Sequence, residues 1–231
     1  ATGLGESIYK AELTRPGWGR SNCRPEILAE QTIISPWIKV FYTLLVCVLV
    51  PVYWIEYGPR NFLWGSDIAL FLTLLAVWME NRLLVSMMAV AVLLPETAWI
   101  IDFVFRLVFG PEVIPTLGTQ YMFDAETALF VRGLSLFHVV LPVLLVWLVF
   151  RLGYQRQALL YQTLLAWIVL PVTYVVTEPS TNINWVYGFG REPQTWMPSH
   201  LFLVSLMVMV PLVLYLPTHL LLSKLFGGDR R

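Results

Sequence analysis

Beyond its first 35 residues the chain alternates between long apolar runs and short polar breaks. The runs fall at approximately 37–57, 62–79, 83–105, 128–150, 158–178 and 200–223. Each is close to the ~20 residues that a helix rising about 1.5 Å per residue needs to cross roughly 30 Å of hydrocarbon. Inside lipid the backbone has to satisfy its own N–H and C=O groups, and in an open chain only a helix does so. The pattern therefore predicts an all-α polytopic membrane bundle of about six transmembrane helices over 36–225. It is flanked by an N-terminal tail over 1–35 and a short C-terminal tail over 226–231.

The N-terminal tail carries four basic and four acidic side chains and no uninterrupted apolar core. It does not read as a cleaved secretory signal and is expected to stay on the side where it is made. Within it, Pro25 followed by Glu26 and the apolar positions Ile27, Leu28, Ile33 and Ile34 points to a short helix on the membrane surface.

Composition agrees with the pattern. The 231 residues are 58% hydrophobic and only 13% charged, too apolar for a soluble domain of this size. Fifteen basic residues balance fifteen acidic ones, so there is no bulk field to hold nucleic acid. Cys23 and Cys47 form neither a disulfide framework nor a zinc-type spacing.

Basic residues flanking the runs set an orientation. With the N-terminus cytoplasmic, eleven fall on that side, including Lys39, Arg82, Arg151, Arg156 and Lys224, and four (Arg60, Arg106, Arg132 and Arg191) fall outside. Both termini are therefore expected in the cytoplasm, and the expected location is a bacterial inner membrane. Trp37, Trp54, Trp64, Trp78 and Trp196 lie near the run ends, as an interfacial belt requires. Pro51, Pro95, Pro142, Pro171 and Pro211 lie inside five runs, each removing one helical hydrogen bond; Pro142 leaves the His138 carbonyl without its usual donor.

Ionisable groups at bilayer depth cost about 2.5–3.5 kcal/mol on insertion scales, so each needs a partner, water or a function. Glu96 lies about 10 Å from the outer edge, His138 roughly 13 Å and Asp67 roughly 8 Å deep, with Asp102 nearer the surface. Separate runs thus deliver acids and one imidazole to the outer half of the bundle, joined by the hydroxyls of Ser66, Thr97, Ser135, Thr173 and Tyr174. The chemistry that fits is acid/base catalysis by Glu96 and His138, with Asp67 or Asp102 orienting the ring. The opposing possibility is that the same groups only tie kinked helices together.

Two outer loops flank this level. The segment 179–199 spaces Trp185, Tyr187 and Phe189 by two around Gly188, after Asn182 and Asn184, which suggests a short hairpin or a re-entrant cap. As a lid it would offer aromatics to acyl chains and Arg191 to a phosphate or carboxylate. Arg132, Tyr174, Trp185, Arg191 and His200 are the expected substrate-binding positions.

Motifs narrow the field mainly by exclusion. There is no nucleophile elbow, Walker A, dinucleotide fingerprint or H-E-x-x-H. His200 and His219 lie about 28 Å apart along one helix and cannot share an ion. No metal and no cofactor is expected. The sequence points first to a membrane protein that binds or acts on a lipid or other amphiphile by acid/base chemistry, with membrane lipids as partners and no nucleic acid. An accessory subunit held against other membrane subunits is the alternative. A transporter or proton relay is the third, weakened because the cytoplasmic half shows no polar path.

Overall fold

The computed structural model describes residues 32–111, 118–190 and 192–227. The surface helix expected around Pro25, and Arg191, lie outside the described residues. Among these the chain is all-helical. Helix α1 spans Pro36–Tyr57, and a short 3₁₀ turn at Pro59–Leu63 leads into α2, Gly65–Met79. Helix α3 spans Arg82–Phe109. The fourth run is broken into α4 (Leu129–Leu134) and α5 (Phe137–Leu152), and α6 spans Ala158–Val176. The last run is α7 (Ser199–Met209), a wide π turn at Val210–Tyr215, and α8 (Leu216–Phe226).

Five of the six runs are long and apolar enough to cross a membrane. The chain is a polytopic integral membrane protein. Helix α2, at 15 residues, is the short one. It extends about 22 Å, less than the hydrocarbon thickness.

Prolines act differently in different runs. Pro51, Pro95 and Pro171 sit within continuous helices. Pro142 has no N–H for the His138 carbonyl, and just upstream the chain tightens into i→i+3 bonds, from His138 N to Ser135 O (3.1 Å) and from Val139 N to Leu136 O (2.9 Å). This break between α4 and α5 sets the position of His138. Pro211 sits inside the π turn of the last run, where the backbone ladder widens instead, and Pro217 follows just beyond it.

Helix α3 is the centre of the bundle, packed against α2, α5 and α6. Its Val85, Met88, Ala89 and Val90 are fully buried, as are Leu70, Ala76 and Val77 of α2 and Leu141, Leu145 and Leu148 of α5. Lipid tails are as apolar as these side chains, so close packing rather than water exclusion holds the helices, and alanines at the contacts let backbones approach. Large apolar residues such as Trp37, Ile55 and Val175 face outward, where lipid would meet them.

At one end of the bundle, polar contacts close the turns. Glu80, in the left-handed region (φ 49°), accepts from the amides of Ile33 (2.8 Å) and Ile34 (3.2 Å) and from Lys39 Nζ (2.8 Å). Desolvation alone would push its carboxyl up, but the bonds from Lys39, Ile33 and Ile34 outweigh it and hold the group below the ordinary value of 4.5. A depressed carboxyl stabilises the fold above its unfolded value and loses that contribution as pH falls through the folded one. Acidification below about pH 4.5 is therefore expected to free the Ile33 and Ile34 amides first. The protection factors of those two amides should fall there in the native chain and be independent of pH in Glu80→Gln.

Nearby, Arg82 donates to the Tyr154 carbonyl and packs on Gly153, whose φ of 86° and absent Cβ make room for the guanidinium. Tyr154 Oη and His219 Nδ1 share a hydrogen bond at 2.7 Å.

Candidate functional site

At the opposite end the buried polar groups collect. Glu96 projects from the middle of α3 and is 3% exposed. His138 is placed by the α4–α5 break, and its Nδ1 lies 2.7 Å from Glu96 Oε2. Two further contacts fix the ring plane. Trp99, three residues on from Glu96 and so on the same face of α3, stacks on the imidazole at 4.6 Å between centroids, and Phe137 stacks at 4.1 Å. The His138 side chain keeps 15% of its surface exposed. No described residue bonds its Nε2.

The tautomer follows from the state of the carboxylate. An ionised Glu96 can only accept, so the shared proton belongs on Nδ1 and the Nε2 lone pair is left available. If Nε2 takes a proton, the imidazolium has a carboxylate on one side and aromatic faces against it.

At the same end of the bundle several hydroxyls come together. Tyr53 Oη and Ser135 Oγ are 2.7 Å apart, and Ser135 Oγ also donates to the Val131 carbonyl at 3.3 Å. Tyr121, in the loop before α4, belongs to the same group. Burial pushes its phenol well above the ordinary range; the Ser135 hydroxyl opposes this, and Tyr57, Glu96 and Asp67 add to it. Tyr121 therefore stays a neutral donor.

Asp67 sits in the first turn of α2 and is 3% exposed. Its Oδ2 accepts from Asn61 Nδ2 at 3.5 Å, while its Oδ1 is buried with no partner. Glu96 lies within electrostatic reach of it.

The expectation that Asp67 or Asp102 orients the imidazole does not match these contacts, because Glu96 itself takes Nδ1. Asp102 turns elsewhere. Six residues beyond Glu96 it points about 120° around the helix, where its Oδ1 accepts from Arg106 Nε at 3.2 Å and its Oδ2 accepts from Thr119 Oγ1 at 2.6 Å. Arg106 also donates to the Pro111 carbonyl. This buried pair ties the loop after α3 to the helix.

The expected substrate-binding residues divide. Arg132 lies on α4, donates Nη1 to the Met122 carbonyl at 3.3 Å, and buries Nε without a partner. Tyr174, Trp185 and His200 belong to the cap over 177–198 and its flanks. Tyr174 stacks with Tyr187 at 4.8 Å, Trp185 packs edge-on to Phe189 at 6.3 Å, and His200 is exposed in the first turn of α7.

The cap is a compact 3₁₀ turn rather than a hairpin of strands, because asparagines fold it on itself. Asn182 donates to the Gly188 and Gly190 carbonyls, both at 2.8 Å, and accepts from Tyr187 N at 3.0 Å. Asn184 accepts from Gly65 N, the first residue of α2, at 2.8 Å and donates to the Leu63 carbonyl at 2.7 Å. Both asparagines have positive φ, which their short polar side chains tolerate. Asn184 thereby caps the helix that carries Asp67.

Sequence reasoning passed over Tyr53, Asn61, Trp99, Tyr121 and Phe137. Trp99 was reachable, since i and i+3 share a helix face. Tyr53 and Tyr121 were not, because each depends on which helices are neighbours. Among the described residues no three His, Cys, Asp or Glu side chains gather to hold a metal. The chain matches no protein-family model, no curated protein and no solved structure, so any function has to be argued from the site itself.

Proposed function

We propose that the chain binds a membrane lipid or other amphiphile at the Glu96/His138 end of the bundle and acts on it by general acid–base chemistry. The observation that carries this reading is the 2.7 Å contact from His138 Nδ1 to Glu96, in a ring stacked on Trp99 and Phe137, with no described partner on Nε2. Here one nitrogen is fixed by a carboxylate and the other is left over, the arrangement in which an imidazole accepts a proton and returns it.

In this reading Glu96 orients the ring and stabilises the imidazolium, and Nε2 takes a proton from the attacking hydroxyl or water and gives it to the leaving group. Ser135, Tyr53 and Tyr121 supply hydroxyl donors around the reacting atoms. The excess of basic residues at the Glu80 end supports placing both termini in the cytoplasm and the dyad in the outer half of a bacterial inner membrane.

The test is chemical. The purified chain is reconstituted with a total lipid extract, and the lipids are followed by mass spectrometry over hours. A lipid class consumed by the native chain and spared by His138→Gln is the expected result. Bound lipid without turnover would leave a binding protein, and recovery of the chain only in complex with other subunits would favour the accessory role.

A further inference from the structure

Both α2 and α6 lie against α3, and a narrow slot of about 70 Å³ opens between them. Ile68 of α2, Ala91 and Val92 of α3, and Ala166 and Leu170 of α6 form much of its wall. The alanines leave the room that larger side chains would fill. Along α6 the lining runs from Gln162 to Leu170, about 12 Å at the helical rise. Gln162 is 5% exposed, and its Oε1 is buried with no hydrogen bond. Its Nε2 donates to Tyr215 Oη at a long 3.4 Å. Turning the amide over exchanges its ends but not the deficit, because Tyr215 meets only one of them. Tyr215 itself lines the slot from the last residue of the π turn, a distortion that recurs at functional sites. Among the described residues no acidic or basic side chain lines it.

We propose that this slot binds an unbranched long-chain alcohol, its hydroxyl on Gln162 and its hydrocarbon chain laid along Ala166 and Leu170. The site is separate from the Glu96/His138 dyad and does not rest on the acid–base reading. Each feature of the slot selects part of the ligand. Its volume is about half the ~150 Å³ that accepts a benzene ring, so a single chain enters and a ring system does not. Apolar walls without a counter-charge exclude a charged head group. The unmet amide end, costly to leave unpaired when buried, excludes a plain alkane. A hydroxyl both donates and accepts, so it satisfies whichever end of the amide is free. The direction fits as well. Gln162 lies about 6 Å from the start of α6 and Leu170 lies deeper, so the ligand stands as an amphiphile stands in one leaflet, hydroxyl toward the surface and chain toward the midplane.

The experiment measures what the full chain retains. It is reconstituted in phosphatidylcholine discs with equal amounts of dodecanol, tridecane and dodecanoate, and the excess of each over empty discs is counted per chain by mass spectrometry. The native chain is expected to hold a saturable excess of dodecanol, about fivefold or more above that of the alkane or the carboxylate, the factor one net hydrogen bond supplies. Gln162→Leu is expected to bring dodecanol down to the alkane level. Ala91→Leu, which fills the floor of the slot, is expected to remove the excess altogether, and it carries the same decision should Gln162→Leu fail to fold.

Equal or greater excess of tridecane or dodecanoate in the native discs would overturn the proposal, as would an excess of dodecanol that Gln162→Leu or Ala91→Leu leaves unchanged. No saturable excess of any of the three would mean that the slot holds water alone, and would overturn it equally.

Discussion

Replacing His138 by Gln is expected to reduce turnover of the amphiphile by about 10²–10⁴-fold, the usual contribution of a positioned acid–base group. Gln keeps a polar side chain at the break between α4 and α5 but cannot cycle a proton. Glu96→Gln should fall by a smaller factor, because the ring stays stacked on Trp99 and Phe137. What it loses is the anion that fixes the tautomer and stabilises the imidazolium. The two variants should also differ in kind. In Glu96→Gln the pH profile of the remaining activity is expected to shift, whereas in His138→Gln the limb assigned to the imidazole disappears. A double variant no worse than His138→Gln alone would show that Glu96 acts through the histidine. Measurements of kcat against pH in lipid discs check each point, and equal activity in native and His138→Gln chains would remove the dyad from the chemistry.

The second large effect is on stability. Asn184→Ala is expected to cost about 2–4 kcal/mol, through lost buried hydrogen bonds and backbone strain together. Asn184 bonds Gly65 N, the Leu63 carbonyl and, at 3.3 Å, Thr173 Oγ1, so one side chain joins the cap, the start of α2 and the end of α6. Its φ of 54° adds a conformational cost for alanine that asparagine largely escapes. Asn184→Gly separates the two contributions, since glycine accepts the backbone but makes none of the bonds. Denaturation in detergent is expected to order the chains native, Asn184→Gly, Asn184→Ala. If glycine were as stable as the native chain, the bonds would be incidental and the backbone alone would matter.

The helices were legible because hydrocarbon imposes one length and one backbone solution on every crossing. The runs 37–57 and 158–178 differ from Pro36–Tyr57 and Ala158–Val176 by at most two residues at either end. The level at which Glu96 and His138 sit also follows from counting residues inward from the edges. Partner choice did not follow. Asp102 is as acidic as Glu96 and closer to His138 in sequence, yet helical rotation hands it to Arg106 and Thr119. Of the two forms expected for 179–199, a hairpin or a cap, the hairpin does not form, because its alternating aromatics mimic a strand without a partner strand to pair with. Its fold is decided instead by two asparagine side chains whose bonds reach residues 63, 65, 188 and 190. Such contacts belong to topology, and composition carries little of them.

The most direct test of the dyad is the nitrogen NMR spectrum of His138 in the full chain, labelled at histidine and held in lipid discs. Nδ1 is expected to carry a proton in a strong hydrogen bond that Glu96→Gln weakens, and Nε2 to show a bare lone pair that shifts when a turned-over lipid is added. A bare Nδ1 with the proton on Nε2, or an Nε2 signal indifferent to every lipid, would contradict the account.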